Sequence, residues 1–458
     1  MTGLQQSNHG LDALIKEAGC SHAGLARRVN ELGRVHGLTL RYDKTSVARW
    51  LHGQQPRGLV PSLLAEAIGR QLARLVTVDD LGMAHPELSA AHVGLEFPGS
   101  TAKSVEIAAE LWRSDVHRRE FLLSSAFGTT ALIAPSRDWL VSPPEETVGH
   151  TGGTLVGWSD VGAVRATGQL FKGLDDRFGG GHGRTAVVEY LNTDVAPLLR
   201  GSYSDEVGRG LFAAVSELTR LAGWMAYDTG LHGLAQRYFV QALRLSQSAG
   251  DRAFGGYVLA TMSRQATYLG HGQEAVQLAR AAQQGAYGWA TPRAKAVFCA
   301  VEARGHGILG DVPACEAALR RAEGHLGAAR PDDDPSWVAF FDDAQLADEF
   351  GHCYRDLHLP RQSQRYAEQS LALRSNSYAR SRAFCSTVLA TAHLEQGDLE
   401  QACAVGGDAL ALAGQLRSLR SAEYIRDFSH RLGRYQQEPL VREFSEKAAD
   451  LPGAQRTA

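Results

Sequence analysis

Cysteine is scarce and scattered: Cys20, Cys299, Cys315, Cys353, Cys385 and Cys403 are the six in 458 residues, with no CxxC pair and no zinc-finger spacing. That excludes a disulfide-stapled scaffold and a zinc module, and suits small core hydrophobes in a reducing compartment. Aromatics are few, at 8%, while Ala and Leu abound, a balance that favours helices over sheets. A membrane-spanning run is missing too. The nearest imitation is 117-HRREFLLSSAFGTTALIAP-135, where Arg118-Arg119 and Phe121-Leu122 mimic a twin-arginine export signal. It lies deep in the chain, and its uncharged stretch falls short of the roughly 20 residues that cross a bilayer. A buried helix followed by a loop is expected there. The opening MTGLQQSNHG has neither a basic nor an apolar segment, so no export signal is expected and the location should be cytoplasmic.

Catalytic signatures are also lacking: there is no G-x-S-x-G, no HExxH and no Cys/His nucleophile context. The stretch 179-GGGHGR-184 does not end in the GK[ST] of a phosphate loop and reads as a flexible connection between helices. His352, Cys353 and His358 carry metal donors, but i, i+1, i+6 does not put them on one helical face. The acidic 332-DDDP-335, between two prolines, reads as a solvated linker. No enzyme, no metal and no cofactor is expected.

What is present is an uneven charge. Residues 1–76 hold ten Lys/Arg against five acids, a net +5, within a chain of net −3. A basic small domain ahead of an acidic larger one suits a polyanion partner for the first alone. Its helices are legible. Leu11, Leu14, Ile15 and Ala18 form one apolar stripe, Leu25, Ala26 and Val29 a second, and Leu64, Ala67, Ile68 and Leu72 another. Between them, 44-KTSVARWLHGQQPR-57 places Val47, Trp50 and Leu51 on one face and Thr45, Ser46 and Arg49 on the other, with Gly53 and Pro56 as the stop.

That stretch resembles the recognition helix of Cro/repressor-type (XRE-like) helix-turn-helix domains, and 25-LARRVN-30 resembles their first motif helix. One departure is the connection of about a dozen residues where that family uses a few. The resemblance puts Lys44, Thr45 and Arg49 at base-reading positions, with Ser46 beside them. Arg and Lys pair with guanine in the major groove, and Thr serves base or phosphate. Arg27, Arg28, Arg41 and Arg57 would neutralise phosphates. Double-stranded DNA is the partner this implies, hence a nucleoid association.

The remainder is periodic. A Gly followed twelve residues later by a small residue recurs at Gly230/Ala242, Gly270/Ala282, Gly310/Ala322 and Gly397/Ala409, with His358/Ser370 as a degenerate unit. Each reads as helix, Gly turn, helix. The pattern resembles tetratricopeptide repeats (TPR), although its period is about 40 residues and the regular Trp/Tyr signature is absent. The expected fold is all-α: a helix-turn-helix domain at 1–85, bridging helices and a loop at 86–210, and a TPR-like helical solenoid at 211–458 with a C-terminal cap. Solenoids present a concave groove. Here its lining should come from the first helix of each pair, with Tyr227, Arg264, Tyr268, Arg304 and 341-FDDAQLADEF-350 offering rings and charges to a peptide or small-molecule ligand.

With 112-WRSDVHRREFL-122 and 223-GWMAYDTGLHGLAQRYF-239, the whole chain is similar to large actinobacterial regulators of differentiation and antibiotic production, the NsdA-like group. The resemblance implies a transcriptional regulator, with repression the expected sign, acting as a homodimer without membrane contact. The competing class is a TPR-like interaction adaptor that does not bind DNA.

Overall fold

Helix supplies nearly all the regular structure of this chain, whose computed structural model describes residues 8–35, 40–54, 56, 60–72, 76, 80–83, 93–117, 127–143, 145, 147–375, 378–449 and 451. Among these residues there is no strand, only two isolated bridges, His150 with Tyr203 and Leu155 with Ser202. The protein is all-α, and it divides into two compact units, Met1–Val93 and Gly94–Ala458.

The first unit contains α1 (His9–Glu17), α2 (His22–Val35), α3 (Lys44–Leu51) and α4 (Val60–Leu72). Asn8 caps α1 by accepting from the Leu11 amide. The apolar stripes read from the sequence meet in one core, where Leu11, Leu25, Val29, Val47 and Leu64 are fully buried. Burial of this kind, at roughly 25 cal/mol per Å² of apolar surface, holds so small a unit together.

The second unit begins with α5 (Thr101–His117), α6 (Thr130–Val141), α7 (Trp158–Phe178) and α8 (Gly180–Tyr190), which runs through a π-turn at Leu191–Val195 into α9 (Ala196–Leu199). Five antiparallel pairs follow. They are α10 (Asp205–Asp228) with α11 (His232–Ala249), α12 (Arg252–Tyr268) with α13 (Gly272–Gly285), and α14 (Pro292–Ile308) with α15 (Val312–Gly327). Next come α16 (Asp343–Asp356) with α17 (Pro360–Leu373), and α18 (Ala379–Glu395) with α19 (Leu399–Gly414). The chain closes with α20 (Leu419–Leu432) and α21 (Pro439–Ala449).

Local chemistry explains these boundaries. Ser204, Asp251, Thr291 and Asp342 each accept a backbone amide at the start of the first helix of a pair, and Ser418 does the same at the start of α20. At the turn, Gly230, Gly270, Gly310 and Gly397 have φ between 72° and 86°, the left-handed region that glycine enters without a Cβ clash. His358, the degenerate member, has φ 56° and is the only non-glycine residue with positive φ among the described residues. Twelve residues on, Ala242, Ala282, Ala322, Ala409 and Ser370 are fully buried where the paired helices meet. Ser370 keeps its hydroxyl satisfied by donating to the Ala344 carbonyl at 2.8 Å.

Four expectations need revising. Of the segment expected as bridging helices at 86–210, residues 94–210 belong to the second unit: Trp112 of α5 is fully buried, and Asp115 accepts from Arg184 at 2.6 and 3.2 Å and from Tyr238 at 2.7 Å. A bidentate buried pair of this sort ties helices together rigidly. The 179–184 stretch is not a flexible loop, because Gly180 opens α8. A Cβ at Gly180 would meet the Met225 backbone at 2.8 Å, and one at Gly181 the Arg417 carbonyl at 2.8 Å, so glycine is needed for close approach. In 332-DDDP-335, Asp334 turns inward and accepts from Arg293 at 2.5 Å rather than facing water. Of the export-signal imitation, residues 118–126 lie outside the described residues, and a helix, α6, replaces the loop expected after it.

Candidate nucleic-acid interface and candidate ligand cavity

In the first unit α3 is held from three sides. Val47 and Trp50 are buried in the core, and Trp50 meets the Tyr42 ring edge-on at 5.0 Å. Asn30 of α2 clamps the preceding chain, its side chain donating to the Tyr42 carbonyl at 2.9 Å and accepting the Tyr42 amide at 3.0 Å. This clamp lets a long connection deliver α3 at a defined place. At the N-terminus Asp43 and Ser46 form a reciprocal capping box, with the Ser46 amide 2.8 Å from the Asp43 carboxylate. That amide, with the Ser46 hydroxyl, holds the Asp43 carboxyl below its usual pKa. At the other end Gly53, at φ 91°, turns the chain away.

Lys44, Thr45 and Arg49 are exposed, and Thr45 and Arg49 lie one turn apart. Arg27 and Arg41 are exposed as well. Ser46 departs from expectation. It is buried and committed to the cap, so it presents nothing outward. Arg28 is half-buried and donates to the Cys20 sulfur at 3.0 Å. Arg57 lies outside the described residues.

In the second unit, the first helices of successive pairs, joined by α7 and α20, surround a cavity of about 510 Å³. Tyr227, Arg264, Tyr268 and Arg304 all line it, from α10, α12 and α14. Gln345 and Asp348 from the 341–350 segment line it too. The structure therefore brings together residues up to 121 positions apart that share only a place in the repeat. Two of the cations are already engaged. Arg264 and Arg304 reach Glu349 at 2.7 and 3.3 Å. Burial alone would raise the Glu349 pKa, but these two guanidiniums pull it below the usual range. The Tyr268 hydroxyl donates to Glu423. Tyr227 is fully buried, its hydroxyl has no partner, and burial pushes its pKa up to about 12.

The cavity is closed where the link into α20 returns to the junction of α7 and α8. The Arg417 amide donates to the Phe178 carbonyl and the Gly181 amide to the Arg417 carbonyl, both at 2.9 Å. Asp228 is the hub behind that closure. It accepts from the Gly180 amide at 2.9 Å, Arg380 at 3.1 Å and Ser418 at 2.9 Å, with Arg420 at 3.6 Å. Arg380 also forms a bidentate pair with Asp175, at 3.0 and 2.8 Å. Arg420 lies over the Tyr227 ring at 4.1 Å and near Phe384, Tyr268 and Trp224 at 4.8, 5.2 and 5.6 Å. His352 on the same wall is kept neutral, its pKa driven far down by burial and then by Arg304.

The closing residues Arg380 and Arg420 were not anticipated from sequence. A signal for them exists. Arg220, Trp224 and Tyr227, like Gln345, Asp348 and His352, recur at i, i+3/i+4, i+7 on first helices. Those positions would be apolar in a solenoid whose inner face only packs.

Residues 11–84 match the SP15 N-terminal domain family, a span that falls inside the first unit. No curated protein matches the chain.

Proposed function

We propose that the chain is a DNA-binding transcriptional regulator, a repressor of differentiation or secondary metabolism, in which the first unit is an XRE-like reading head. The helical-repeat unit then serves for dimerisation and ligand sensing. One observation carries the reading: α3 is anchored by Val47 and Trp50 while Thr45, Arg49 and Lys44 stay exposed, within a stretch, residues 1–76, of net +5. A helix fixed from behind with exposed Arg and Lys in front can enter a major groove and pair with base edges. Arg27 and Arg41 then supply phosphate contacts. Two copies on a palindrome would place half-sites about one helical turn, or a multiple, apart.

Immunoprecipitation across the genome, followed by anisotropy titration on the recovered fragments, tests this. Affinity should fall as salt rises, with a log–log slope of about −0.9 per neutralised phosphate, and footprints should show inverted half-sites. No DNA affinity at low salt would overturn the reading in favour of the adaptor. That alternative has one observation behind it: Tyr287 and Trp289 stand 82% and 63% exposed beyond α13, as rings offered to a protein partner would.

A further inference from the structure

Cations and acids both line the cavity in the repeat unit, and several of them are already paired, with one another or with acids just behind the wall. Asp175 is taken by Arg380, Asp356 by Arg355 at 2.6 Å and by Arg304 at 3.7 Å, and Glu349 by Arg264 and Arg304. Three guanidiniums on the wall are left with donors to spare. Arg220 makes no hydrogen bond and no ion pair among the described residues; it lies over the Tyr257 ring at 5.1 Å, and its Nε is unpartnered. Arg374 donates once, to Gln345 at 3.1 Å, and its Nε too is unpartnered. Arg420 has Asp228 near it but no hydrogen bond, and both its Nε and Nη1 are unpartnered. All three are more than nine-tenths buried. Asp348 Oδ1 and Asp356 Oδ2 on the same wall have no hydrogen-bond partner either, but neither is hydrogen-bonded or ion-paired to these three arginines. Buried charged donors without acceptors are costly, so three of them around one space point to an absent acceptor.

We infer that this cavity binds a small organic anion with an aromatic body, its carboxylate or phosphate held by Arg220, Arg374 and Arg420. A guanidinium lying over a ring has its face covered and its N–H edge free. It is thereby oriented to take a planar or tetrahedral anion through paired hydrogen bonds. Tyr257, Tyr227 and Phe384 orient Arg220 and Arg420, and Tyr378 lies under Arg374, while the half-buried rings of Trp224, Tyr268 and Tyr424 on the same wall offer an apolar ring something to pack against. The volume suits such a ligand, because small-molecule sites occupy roughly 300–1,000 Å³. Arg220 belongs to α10, Arg374 ends α17 and Arg420 belongs to α20, so binding would tighten the closure between α20 and the earlier helices of the unit.

This inference names the ligand class for the sensing role proposed above and rests on that role for its purpose, not for its test. The probe is anilinonaphthalene sulfonate, an aromatic anion that fluoresces when desolvated, titrated into the full chain at neutral pH. One saturable site per chain is expected. Phenylpropionate and phenyl phosphate should displace the probe, separating carboxylate from phosphate preference, at concentrations about tenfold or more below those of uncharged phenylpropanol. Arg220→Gln and Arg374→Gln should each weaken the probe about tenfold while circular dichroism and unfolding temperature stay as in the parent. Equal displacement by the alcohol, unsaturable binding, or unchanged affinity in both folded variants would each overturn the inference. DNA affinity of the same preparations, measured without probe, reports on the regulator reading by itself.

Discussion

The two units dispose of their charge in opposite ways. In Met1–Val93 the core cluster is apolar and the cations of α3 lie outside, exposed. In Gly94–Ala458 arginines, acids and aromatic rings turn inward around a cavity, with Arg380 on its wall and Asp228 and Glu349 buried behind it. A solenoid of paired helices has an inner face that no single layer can fill. The polar stripe there must satisfy itself across the space or wait for a ligand. The lesson concerns separability. Surface cations in the first unit can change without touching its fold, whereas the paired inner groups of the second, Asp228, Glu349 and Arg380, cannot.

The largest effects should come from striking each unit where it is held. Trp50→Ala removes a large buried aromatic and should cost about 3–5 kcal/mol, enough to unfold a unit of this size. Arg380→Ala leaves Asp175 and Asp228 buried without their partner, for a similar loss of about 3–5 kcal/mol in the second unit. Domain-resolved thermal unfolding checks both. A single transition lowered equally by either variant would erase the comparison.

Next in size is the split between binding and stability. Arg49→Ala should lose roughly 1–3 kcal/mol of operator affinity per base contact and leave the unfolding temperature of the first unit unchanged. Melting of that unit by Arg49→Ala would mean that α3 faces the other way.

Acidity should divide the units as well. Burial raises the Glu217 carboxyl to about 7 and that of Asp348 to about 6, with Arg165 and Arg220 opposing the rise at Glu217 and Asp251 adding to it. A raised folded-state pKa contributes stability that is complete below the unfolded value and is lost as pH rises through the folded one. For Glu217 that window runs from its ordinary 4.5 up to about 7. Glu217→Gln should therefore be roughly 1–3 kcal/mol more stable than the parent above that window and no more stable below it, read from denaturant melts at both ends. Asp43 behaves oppositely. Its depressed pKa contributes stability to the first unit above the ordinary carboxylate value, lost as pH falls through the depressed one.

The smallest effect is local. His358 occupies the left-handed turn that glycine fills in the other pairs, and its ring approaches Glu395 at 3.4 Å in an exposed pair worth little. His358→Gly should gain about 1 kcal/mol, seen as a modestly raised unfolding temperature of the second unit only.

The repeat was legible because its determinants are local. Gly230 and Ala242 specify a left-handed turn and a close helix contact whatever surrounds them, and the same spacing located His358 and Ser370 without a glycine. Tyr227, Arg264, Tyr268 and Arg304 were legible as groove residues for the same reason: register within a helix sets the face. Ser46 was misplaced because the periodicity that puts it outward says nothing of the Asp43 cap that draws it in. Gly180 and Gly181 were read as flexible because a glycine needed for close approach looks, in sequence, like one needed for freedom.

By itself, then, the sequence determined the helices, their caps and turns, the apolar anchor of α3 and the inner stripe of the repeats, since each depends on neighbours within about one or two helical turns. Tertiary structure alone decided that α20 closes on Phe178 and Gly181, that Arg380 meets an aspartate 205 residues away, and that Asp228 is satisfied from three directions. Small rotations from one helix pair to the next accumulate along a solenoid, and only their sum sets whether its ends meet. The cavity, with its unpaired guanidiniums, exists because they do.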